Sequence, residues 1–234
     1  MKRILYAILV LIVYSSCQQH VLPEQSEDKC VLVLNITRAD VPTVASRAID
    51  AGLAVRILDA NGKEYLNYPA GDVPSRIILE PGLFAVCAYT DNQETWHSAN
   101  HGKGEACYYS SLLVKIEYDH TTRVTMSVPM TNYAVGVALP EKFEELFPSH
   151  QLTLKSGSRE VVIQEDEKAY FSKSDGGFTH ALSVTNIDGM THSYLPRSFT
   201  DVQSGKCYLL SYSYGFDETP QNIRAEVHEI STRE

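Results

Sequence analysis

The stretch Trp96-His97-Ser98-Ala99-Asn100-His101-Gly102-Lys103-Gly104-Glu105-Ala106-Cys107 gathers more chemically capable side chains than any other part of this 234-residue chain. Two histidines four apart, with a cysteine beyond them, could offer nitrogen and sulfur to zinc. That spacing converges only when a helix stacks the pair on one face. The glycines and asparagine around them describe a loop, so no metal site and no cofactor is assigned. Gly102-Lys103-Gly104 lacks the longer glycine loop and following helix that cradle a phosphate. The patterns G-x-S-x-G, H-E-x-x-H and C-x-x-C are absent, and the carboxylates read as solvated surface acids. No catalytic residue is assigned, and the chain reads as non-enzymatic. What the loop does offer is aromatic: Trp96 with Tyr108 and Tyr109 is expected to form an exposed ligand-contact cluster. Tyr208, Leu210, Tyr212 and Tyr214 share one side of a strand and read as core filling, with hydroxyls at the rim.

Five cysteines are an odd count. Met1-Lys2-Arg3, an apolar run from Ile4 to Tyr14 and the small pair Ser15-Ser16 have the layout of a secretory signal. The run is shorter than the roughly 20 apolar residues that span a bilayer. Cys17 follows directly, with a polar stretch from Gln18 to Asp28 behind it. This resembles a bacterial lipoprotein signal, which implies a leader over residues 1–16, a lipid on Cys17 and a tether over 17–29. It also implies an outer-membrane lipoprotein, periplasmic or surface-exposed, whose membrane partner is reached only through that anchor. Cys30, Cys87, Cys107 and Cys207 then remain in a compartment that permits disulfides, with three possible pairings. Cys87 with Cys107 is the expected one, since it would close a loop between adjacent elements and stabilise by about 3 kcal/mol.

Acidic residues outnumber basic ones 29 to 20, for a formal net charge of −9. Loss of Lys2 and Arg3 with the leader deepens it by two. Such a surface is unsuited to phosphate backbones, so nucleic acid is excluded as a partner. From residue 30 onward the apolar residues alternate with period 2. Strands are expected at Val31–Thr37, Leu53–Ile57, Arg76–Leu79, Leu83–Tyr89, Leu112–Tyr118 and Arg123–Val128. The pattern restarts near residue 130. Further strands follow at Tyr133–Leu139, Gln151–Lys155, Arg159–Gln164, His180–Thr185, Lys206–Tyr214 and Asn222–Ile230, with one helix at Pro140–Phe147. The fold class is all-β: two tandem antiparallel β-sandwich domains (immunoglobulin- or transthyretin-like), at 30–130 and 131–234, with one short helix in the second.

The run Gly52–Gly62, then Asp72-Val73-Pro74-Ser75-Arg76-Ile77-Ile78-Leu79-Glu80-Pro81-Gly82 and Leu83–Tyr89, resembles a strand and turn pattern of Bacteroidetes surface lipoproteins. With the Cys17 signal and the restart at Thr131–Val137, it is similar to the lipoprotein family of unknown function numbered forty-four ninety-three, itself similar to fimbrillin-like proteins. The resemblance implies an adhesion or fimbria-like assembly subunit with a protein partner. The alternative is a glycan-binding surface lipoprotein associated with polysaccharide uptake.

Overall fold

The computed structural model describes residues 30–39, 49–215 and 223–230. The leader, Cys17 and the tether lie outside them. Among the described residues no helix is long and apolar enough to cross a membrane.

The first half holds β1 (Cys30–Arg38), β2 (Ala54–Leu58), β3 (Glu64–Tyr68), β4 (Arg76–Leu79), β5 (Gly82–Tyr89), β6 (Tyr109–Ile116) and β7 (Thr121–Val128). Alternation makes these strands and decides their faces. Along β1, Cys30, Leu32, Leu34 and Ile36 are buried while the residues between them are partly exposed. Each such aliphatic side chain contributes about 1.5–3 kcal/mol over its exposed state. Two sheets, ordered β4-β1-β7 and β3-β2-β5-β6, close over this core.

The second half holds β8 (Tyr133–Ala138), α1 (Phe143–Leu146), β9 (Ser149–Ser156), β10 (Arg159–Ile163), β11 (Lys168–Phe171), β12 (Phe178–Thr185), β13 (Thr191–Ser193), β14 (Arg197–Phe199), β15 (Cys207–Tyr214) and β16 (Ile223–Ile230). Its sheets are β11-β8-β15-β16 and β10-β9-β12-β13, with β14 also paired to β12. A second buried cluster fills the space between them. Tyr208, Leu210 and Tyr212 are part of it, as their spacing indicates. The helix is a single turn, because Lys142 takes a left-handed conformation at its start. Its purpose is to bury Phe143, whose ring lies 5.0 Å from that of Phe147.

The sheets are not wholly antiparallel. In each half the first and last core strands run parallel: Val31 pairs with Thr121 and Ala134 with Cys207. Period-2 alternation fixes which face a strand buries and is silent about its neighbour's direction, so the sequence pattern could not show this. The antiparallel partner of the first strand is repeated as well, Cys30 with Leu79 and Tyr133 with Phe171. The two halves therefore share one topology, strand for strand, up to β15. β13 and β14 together stand where β6 stands, and among the described residues β16 has no counterpart.

His180 on β12 tests this packing. It is 7% exposed, and its Nδ1 lies 2.9 Å from the hydroxyl of Tyr212. Burial, and then the charge of Arg197, lower its pKa to about 4. An unfolded-state histidine, near 6.5, protonates first. Stability contributed by neutral His180 is thus present above about pH 6.5 and lost as pH falls toward 4, by about 3 kcal/mol in all. Urea titrations of the wild type and His180→Gln should diverge across that window, the variant showing the flatter pH dependence. Parallel curves would contradict it.

Candidate functional site

The polar loop that follows β5 is the clasp between the two halves. Arg159, at the start of β10, reaches into it with its whole guanidinium. One terminal nitrogen donates to the carbonyl of Tyr170 at 2.7 Å. The other donates to the carbonyls of His97, at 3.0 Å, and Gly102, at 2.6 Å. The same group lies 5.2 Å from the ring centres of both Trp96 and Phe171. Burial lowers the pKa of Arg159 from its ordinary value, yet arginine stays charged and satisfies three carbonyls at once. The Tyr170 amide donates to the Lys103 carbonyl at 2.7 Å, and Lys103 Nζ meets Glu167 Oε1 at 2.5 Å. Gly104 has φ of +84° and no room for a side chain, since a Cβ would sit 3.2 Å from the Trp96 carbonyl and 3.3 Å from Tyr170. That close approach is what the glycine in Gly102-Lys103-Gly104 serves.

The aromatic residues expected as one exposed cluster are thereby separated. Trp96 is half-buried against Arg159. Tyr108 is core, 4% exposed, and bridged to Met130. Tyr109, one residue on, points outward at 40% exposure, and its hydroxyl donates to Cys87 Sγ at 3.9 Å. Burial, then Cys87, raise the Tyr109 pKa. Cys87 and Cys107 are buried free thiols. The β5–β6 register sets Cys87 opposite Ser111, four residues past Cys107, or roughly 13 Å along a strand. A disulfide needs Cα atoms within about 7 Å, so the structure holds this expected pair apart. Cys107 serves another contact: its amide donates to Asn132 Oδ1 at 3.2 Å, while Asn132 Nδ2 donates to the Glu105 carbonyl.

The feature that sequence reasoning missed is an edge. On β7, Val124, Met126 and Val128 face the core and Arg123, Thr125 and Ser127 face out. The carbonyl of His120 accepts from Val31 of β1, and that of Val128 from Ala39, one residue past its end. The even-numbered residues of β7 therefore bond to β1, while the backbone groups of Arg123, Thr125 and Ser127 point the other way. Among the described residues no strand pairs with that second edge. The equivalent edge of β15 is covered along its whole length by β16, from Cys207 opposite Ile230 to Tyr214 opposite Ile223. Beside the uncovered edge, Leu112 of β6 lies on the same side as buried Val114 and Ile116 yet is 44% exposed. Neighbouring Leu113, on the outer face, is 70% exposed.

A family model described as Domain of unknown function (DUF4493) matches residues 28–233. Several solved structures are similar. A candidate cell adhesion protein from Bacteroides uniformis is 8% identical, with 88% of this chain and 99% of that one covered and a TM-score of 0.55. A candidate cell adhesion protein from Bacteroides eggerthii is 10% identical, with coverage of 87% and 96% and a TM-score of 0.54. A fimbrial assembly protein from Parabacteroides distasonis is 14% identical, with coverage of 86% and 98% and a TM-score of 0.48. No curated protein matches the chain. At identities this low the likeness concerns the fold.

The clasp makes a quantitative expectation. Arg159→Met keeps the stem against Trp96 but leaves three carbonyls without their donor, and should cost about 3 kcal/mol. Lys103→Met removes a half-exposed ion pair and should cost under about 1 kcal/mol. Calorimetric melting of both variants checks the ranking; a larger loss from Lys103→Met would contradict it.

Proposed function

The chain belongs to the DUF4493 family, and we propose that it is a lipid-anchored cell-envelope protein serving adhesion or fimbria-like assembly, without an enzymatic role. One observation carries this reading: among the described residues no strand pairs with the outer row of backbone donors and acceptors on β7, where its counterpart β15 is covered by β16. An extended segment from another protein that added itself antiparallel to β7 would complete the first sheet as β16 completes the second. Main-chain hydrogen bonds would supply the affinity, and alternate side chains of the incoming strand would meet the side chain of Leu112. The Bacteroides uniformis and Bacteroides eggerthii proteins that share the fold are candidate cell adhesion proteins, which supports the same reading.

In this proposal residues 30–130 and 131–234 are two sandwich domains, and residues 1–16 are a leader. Cys17 carries the lipid that holds the protein at the outer membrane, periplasmic or surface-exposed. Several acyl chains bury enough methylenes, at about 0.8 kcal/mol each, to make the anchor stable.

Two experiments test the two parts separately. Proline at position 125 would remove an outward N–H from β7 while sparing the β1 ladder. Thr125→Pro should therefore fold with a melting temperature close to wild type and lose concentration-dependent, SDS-resistant ladders. Ladders of undiminished intensity would rule out strand addition at β7. Metabolic labelling with palmitate should mark the wild type and leave Cys17→Ala unlabelled; label persisting in the variant would remove Cys17 as the anchor.

A further inference from the structure

An open groove in the second half lies where β10 parts from β9. It has a volume of about 480 Å³, within the usual size range of small-ligand sites. Ile163 pairs with Leu152, and the chain then turns through Gln164, Glu165 and Asp166, leaving Ser149–Gln151 of β9 as the opposite wall. Gln151, Gln164 and Ser149 are exposed and bring groups that both donate and accept hydrogen bonds. Glu144, Glu165 and Asp166 add carboxylates and His150 an imidazole, and neither lysine nor arginine lines the groove. Val162, 48% exposed, supplies an apolar surface beside them.

The rim is built, not loose. Asp166 holds a left-handed backbone, φ +63°, inside a turn closed by Glu167, whose Oε2 accepts from the Gln164 amide at 2.8 Å. Glu167 is the carboxylate that Lys103 grips from the first half. The groove also has a definite place. Ile163 lies at the opposite end of β10 from Arg159, and the Lys103–Glu167 pair ties the rim to the first half.

From this chemistry we propose that the groove is a saccharide subsite, taking one or two sugar units that carry no acidic group. Carboxamides, a hydroxyl and carboxylates match the mixed donor and acceptor pattern of neighbouring sugar hydroxyls, and Val162 meets a C–H face of the ring. The carboxylates repel phosphate, sulfate and uronate. A purely cationic peptide would use the acceptors and leave the carboxamide donors unpaired. This subsite goes beyond the strand-addition reading and does not depend on it, because none of its residues touches β7.

The test is titration of the isotope-labelled protein with laminarin, α-mannan, chitotriose, polygalacturonate and polylysine, followed through backbone amide signals. At least one of the first three should shift the signals of residues 149–151 and 162–166. The double substitution Gln151→Ala/Gln164→Ala, at exposed positions that leave the core intact, should weaken that probe about tenfold or more. Thr125→Pro should leave it unchanged, which separates the two proposals. No shift with any of the first three, binding of polygalacturonate or polylysine in their place, or undiminished affinity in the double variant would each overturn the subsite.

Discussion

A β-strand has two rows of backbone hydrogen-bonding groups, and each row must be paired or wetted. In both halves of this chain the first strand zips in parallel against the last, which satisfies one row of the last strand and leaves the other. The second half answers with β16. The first half, across its described residues, has no equivalent, and the remaining features of the molecule arrange themselves around that difference. Buried alternate residues keep β7 in place whether or not a further strand arrives, since Val124, Met126 and Val128 already belong to the core. Polar neighbours on its outer face keep the edge soluble while it is uncovered.

The clasp supplies the second constraint. A loop this polar would ordinarily be a mobile surface feature. Here Arg159 binds its carbonyls, Trp96 covers the guanidinium, and Asn132 ties Glu105 and Cys107 to the start of the second half. The two halves are linked through charge-assisted hydrogen bonds, which are stronger than neutral ones. A protein held by one end and making contacts elsewhere gains from such stiffness, because fewer orientations are lost when a partner binds.

Much of the architecture was legible in the sequence. Strands such as Arg76–Leu79 and Arg123–Val128 could be read from alternation, because one face is buried and the other wet. Glu64–Tyr68 and Lys168–Phe171 escaped notice, since both are short edge strands, too brief for an alternation to stand out. The parallel pairing was illegible for a different reason: it joins residues some ninety positions apart, and nothing local encodes strand direction. Trp96 was read as part of an exposed aromatic cluster and the loop glycines carried no readable role. Their partner, Arg159, looked like an ordinary outward-facing strand residue, so their role could be seen only in three dimensions. The uncovered edge was invisible for the same reason, because it is a relation between β7 and β15 and not a motif in either.

Amide hydrogen exchange on the dilute, unassembled protein tests the central claim most directly. The expected result is alternation along β7: slow exchange at Val124 and Met126, whose amides face β1, and fast exchange at Arg123, Thr125 and Ser127. In β15, held on both sides from Cys207 to Ser211, residues of either parity should exchange slowly there. Uniform protection along β7 would mean that its second edge is already paired, and would contradict the account.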